Sequence, residues 1–119
     1  MKYQLEERVE KFGEDIIDLV KKIKINIINK SIIDQLIRSA TSIGANYFEA
    51  NSASSRKDFI NKIAIAKKEA SETQHWLRML AKTDDYLKNK LFFLSDEARQ
   101  LGMILSTIIS NVRNKTVKP

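Results

Sequence analysis

Apolar residues recur at alternating intervals of three and four along almost the whole chain. Leu5, Val9, Phe12, Ile16, Leu19 and Ile23 are spaced 4-3-4-3-4, and Ile33, Leu36, Ala40, Ile43, Tyr47 and Ala50 are spaced 3-4-3-4-3. Phe59, Ile63, Ala66, Ala70, Thr73, Leu77 and Leu80 keep the rule with one threonine, and Leu94, Ala98, Leu101, Leu105, Ile108 and Val112 repeat 4-3-4-3-4. A helix turns once in about 3.6 residues, so each series falls on one face. A stripe this narrow packs best against another like it at a shallow crossing angle, the geometry of a helical bundle. Three glycines and a single terminal proline leave few helix breakers. The pattern predicts an all-α fold: an antiparallel, up-down-up-down four-helix bundle forming one domain over residues 1–114.

The expected helix starts are read from capping chemistry. Ser31 with Asp34 opens the second helix and Ser55 with Asp58 the third. Ser95, followed by Asp96 and Glu97, opens the fourth. The links then fall near residues 25–30, 52–54 and 84–93. The third contains Tyr86, Leu87, Phe92 and Phe93, and a segment this apolar is expected to fold back over the bundle end. Residues 115–119 are expected to form a disordered tail.

Several kinds of chemistry lack their residues. With no cysteine, disulfides and thiolate metal sites are excluded. Glu72 and His75 have the Glu-x-x-His spacing of di-iron bundles, but that centre needs two such motifs, and His75 is the only histidine. A serine nucleophile would need a nearby base and an oxyanion pocket. Gly13, Gly44 and Gly102 are isolated, so no phosphate-cradling glycine loop exists. The expectation is no enzyme, no metal and no cofactor. The N-terminal MKYQLEERVEK lacks the apolar stretch of a signal peptide, and no run approaches the roughly 18 apolar residues of a membrane span. A cytoplasmic protein without a membrane partner is expected.

Three surfaces remain. On the second helix Arg38, Ser42, Asn46 and Glu49 line up beside the apolar stripe, with Ser39 at its inner edge. They read as a structural network pairing with Ser71, Glu72 or a neighbouring subunit, as a solvated face, or as a ligand site; the first is favoured because buried polar groups need partners. On the third helix Ile65, Trp76 and Met79, with Glu72 among them, point away from the stripe. Trp and Met are enriched at protein interfaces, so these four are the expected oligomer interface. The third surface is basic. Residues 1–50 hold 8 Lys/Arg and 8 Asp/Glu, whereas residues 51–119 hold 13 and 7 and carry the whole net charge of +6. Arg56, Lys57, Lys62, Lys67, Lys68, Arg78 and Lys82 crowd the third helix, and Arg99, Arg113, Lys115 and Lys118 add to the same half. No base-reading motif accompanies them, so RNA or DNA binding is expected to run through phosphates. A protein partner is the alternative.

The run from Arg38 to Leu80, with RSATSIGANYFEA followed by SSRKDFINKIAIAKKEASETQHWL, resembles the four-helix-bundle proteins encoded in intervening sequences of bacterial 23S rRNA genes. Those are related to the accessory variability proteins of diversity-generating retroelements. The resemblance rests on Arg38, Ser42-Ile43, Asn46, Glu49, the serines of 52–55, Phe59, Ile65-Ala66, Ser71 and Glu72; Ala50 stands where many members carry glycine. It implies an antiparallel bundle, a homo-oligomer in the form of a cyclic pentamer, and no known enzymatic activity. For the retroelement relatives it implies a basic surface offered to nucleic acid beside a reverse transcriptase.

Overall fold

Most of the residues picked out by three-four spacing are buried, but Ile23 and Val112 among them are only half-buried, and Leu91 and Ile109 are buried although they lie outside the expected stripes. In the computed structural model, which describes residues 2–117, the chain forms α1 (Lys2–Lys21), α2 (Lys30–Asn51), α3 (Arg56–Thr83), a one-turn 3-10 helix (Asp85–Leu87) and α4 (Lys88–Val117). Leu5, Val9, Phe12, Ile16 and Leu19 of α1 are buried against the whole α2 stripe, Ile33 to Ala50. Ile63, Ala66, Ala70, Thr73, Leu77 and Leu80 of α3 and Leu91, Ala98, Leu101, Leu105 and Ile109 of α4 complete the core. Phe59, Leu94 and Ile108 pack half-buried at its margin. The molecule is a rod 55 Å long and 22 Å across, a cross-section of two helices by two.

Residue pairs fix the helix directions. Gly13 faces Thr41 while Gly44 faces Val9, so α1 and α2 are antiparallel. Arg38 reaches Glu69 and Glu72 while Glu49 reaches Lys62, so α2 and α3 are antiparallel. Gly102 sits against Ala70, and Arg78 shares a groove with Phe92, which sets α4 against α3 in the same sense. The topology is up-down-up-down. α1 packs chiefly on α2 and only lightly on α4. There Arg8 holds Glu97 through two hydrogen bonds of 2.7 and 3.0 Å and reaches Gln100. Hydrogen bonding to Glu97 raises the Arg8 pKa despite partial burial. A groove of about 610 Å³, lined by Leu5, Arg8, Tyr47, Phe59, Ile104 and Ile108, separates the two helices toward the start of α1.

The helix starts correct two expectations. α2 begins at Lys30, before Ser31, because two asparagines shape the turn ahead of it. Asn26 Oδ1 accepts from the backbone of Ile28 and Asn29, and Asn29 Oδ1 accepts from the backbone of Asn26. The buried Asn29 also donates through Nδ2 to the Lys24 carbonyl. α4 begins at Lys88, seven residues before Ser95. Asp84 accepts from the Tyr86 N–H at 3.0 Å and starts the 3-10 turn that runs directly into α4. Ser95 is therefore interior to the helix. Residues 88–93 are helical and do not fold over the bundle end: Phe92 and Phe93 are 69% and 73% exposed. Ser55 caps α3 as expected, its side chain accepting from the Asp58 N–H at 3.0 Å. The expected tail overlaps α4, which continues to Val117; Lys118 and Pro119 lie outside the described residues.

Candidate nucleic-acid interface

α3 carries seven basic and three acidic residues, and the bundle sorts them by side. The acids lie on the flank facing α2. Glu69 is only 9% exposed, and Arg38 Nη1 reaches both its oxygens at 3.3 and 3.4 Å. Arg38 Nη2 donates to Glu72 at 2.9 Å, and Nε donates to Gln35. One guanidinium thus serves two carboxylates, as its forked donors allow. Beneath it Thr73 Oγ1 lies 3.0 Å from Ser39 Oγ and 2.8 Å from the Glu69 carbonyl, so both buried hydroxyls are satisfied. Asp58 and Lys62 share this flank. Lys62 pairs with Glu49 of α2 at 3.0 Å, and that hydrogen bond, with the charges of Glu49 and Asp58, raises the Lys62 pKa.

The other cations of α3 turn outward. Lys57, Lys67, Lys68, Arg78 and Lys82 are exposed and form no ion pair among the described residues; Arg56 is exposed beside them. At about 100° per residue these six occupy roughly a third of the helix circumference, with no acid of α3 among them. On α4, Arg113 and Lys115 are exposed, but Arg99 is tied to Asp96 at 2.8 and 3.0 Å. Hydrogen bonds from Arg99 and Gln100 hold the Asp96 carboxyl below its ordinary pKa. The outward face of α3 therefore presents net positive charge.

The strip on α2 divides. Arg38 and Glu49 cross to α3, whereas Ser42 donates to the Arg38 carbonyl and Asn46 to the Ser42 carbonyl of their own helix. Glu72 is the expected partner; Ser71 is exposed. The expected oligomer patch also divides. Ile65 is 40% exposed, but Trp76 and Met79 are half-buried within this single chain rather than left in water. Trp76 packs against the core with its indole N–H sealed from solvent and without a hydrogen-bond partner among the described residues. His75 is exposed and meets Trp76 edge-on, ring centroids 4.7 Å apart. Among the described residues no three His, Asp or Glu side chains come together.

Residues 1–107 match the model of the 23S rRNA-intervening sequence protein family. The chain belongs to this family. A crystal structure from Bacteroides thetaiotaomicron VPI-5482, described as a protein of unknown function from the S23 ribosomal protein family, is 35% identical with a TM-score of 0.78. The match covers 88% of this chain and 97% of that one. No curated protein matches the chain. Among the described residues no helix of this family member is long and apolar enough to cross a membrane.

Sequence reasoning missed Glu69, the Ser39–Thr73 pair and the Arg8–Glu97 pair. Glu69 had a signal: it adjoins the α3 stripe at Ala66, Ala70 and Thr73 on the same side as Lys62, where a carboxylate needs a cation from the next helix. Arg38 is the sole arginine of α2.

Proposed function

We propose that this family member is a non-catalytic helical bundle that binds RNA or DNA through phosphates and works as a homo-oligomer. The observation that carries the reading is the charge sorting on α3. Its acids are engaged on the α2 side by Arg38 or lie beside Lys62, and five cations are exposed without ion pairs among the described residues. Such a field attracts phosphate backbones and releases their condensed counterions. The sequence holds no base-reading motif, so the same affinity is expected across sequences. The exposed Ile65 beside half-buried Trp76 and Met79, and the resemblance that implies a ring of five, support self-association. A ring would repeat the basic face and add avidity without strengthening any single contact.

The test is fluorescence anisotropy with mixed-sequence RNA and DNA at low salt, about 50 mM, where phosphate contacts are strong. Binding at micromolar protein is expected. Its absence would overturn the reading and favour a protein-binding adaptor using Ile65, Trp76 and Met79.

A further inference from the structure

Between the C-terminal half of α3 and the start of α4 lies a groove of about 440 Å³, within the range of small-ligand clefts, roughly 300–1,000 Å³. Its walls include Gln74, His75, Arg78, Lys88, Phe92 and Ser95, and among the described residues no carboxylate lines it. Arg78 and Lys88 supply positive charge from opposite helices. Phe92 stands beside them, 69% exposed, its ring meeting that of Phe93 edge-on with centroids 6.2 Å apart. Gln74 and Ser95 add neutral hydrogen-bonding groups. By helical rotation Lys67, Arg78 and Lys82 fall within about a sixth of a turn of one another, so a line of cations runs along α3 past this groove.

We infer that this groove seats one nucleotide of a single-stranded nucleic acid, its base against Phe92 and its phosphate between Arg78 and Lys88. The inference rests on the phosphate-binding reading above and adds a strand preference to it. A duplex keeps its bases stacked inside and can offer the groove only phosphate. An unpaired base can swing out and stack on an exposed ring, a contact that tolerates any sequence. The absence of acids in the lining suits an anion, and the free aromatic face suits a base.

The experiment compares a labelled mixed-sequence single strand with its duplex, using the full-length chain, Phe92→Leu and Phe92→Trp. Phe92→Leu keeps apolar bulk at an exposed position and removes the stacking face. It should weaken single-strand binding about fivefold or more and leave duplex binding and the salt slope unchanged. Phe92→Trp should restore affinity and lose fluorescence as the strand binds. Arg78→Gln with Lys88→Gln should weaken both forms. Equal effects of Phe92→Leu on single strand and duplex, or none on either, would overturn the nucleotide site while leaving phosphate binding intact. Phe92→Leu weakening poly-glutamate binding as much as single-strand binding would make the groove a general anion site and also overturn it. Failure of wild-type protein to bind either form would remove the underlying reading itself.

Discussion

Glu69 is an acid in a nearly buried place, and Arg38 is what makes it tolerable. A carboxylate left there without its cation would keep its desolvation penalty and lose its partner. Arg38 is itself about half exposed (48%), so the full penalty of a deep ion pair does not apply. Arg38→Met is expected to destabilise the chain by about 2 kcal/mol, read as a shifted denaturation midpoint with unchanged slope. Adding Glu69→Leu should recover more than half of that loss, because both charges are then gone. Asn46 is the contrast. It bonds to a carbonyl of its own helix, so Asn46→Leu should change stability by no more than about 0.5 kcal/mol. A larger change, or an altered oligomer distribution, would mean that Asn46 has a partner outside its own chain.

Helix starts are set by local side-chain bonds, and each can be tested alone. Asp84→Ala and Ser55→Ala remove real caps and should each cost about 1 kcal/mol. Ser95→Ala, inside α4, should cost almost nothing, and an equal cost there would contradict the observed start. The three glycines sit inside helices where an added Cβ would meet ordinary contacts, such as Ala70 at 3.7 Å from Gly102. Gly102→Ala should therefore raise stability by up to about 1 kcal/mol through helix propensity. A loss would point to a neighbouring copy packed on that part of α4. The stripes were readable because burial follows helical period directly, and Ser55 was readable because its cap is local. The start of α4 was misread although Leu91, Leu94 and Ala98 already extend its stripe by a turn. The unusual run of aromatics there suggested a loop, but Phe92 and Phe93 are exposed helix residues. The asparagine turn before α2 and the Glu69 site needed more than spacing, since each depends on which groups the fold brings together.

The bundle as a whole divides its charge. α2 and α3 neutralise each other along their shared flank, and the remaining cations of α3 are left facing out. Basic composition could be read from the sequence; this segregation could not, because it depends on which flank of α3 meets Arg38 and Glu49. Size exclusion with light scattering should give several times 13.7 kDa, and a monomer at tens of micromolar would contradict the proposed homo-oligomer. Nucleic-acid affinity followed across a range of salt bears most directly on the central claim. Each phosphate contact contributes about 0.7 to the slope of log affinity against log salt for single strands. Replacing Lys57, Lys67, Lys68 and Lys82 with glutamine should flatten that slope by up to about 3, weaken binding across all sequences, and leave helical circular dichroism and oligomer size unchanged. An unchanged slope in this variant, with wild-type affinity retained, would show that the outward face of α3 does not contact phosphates.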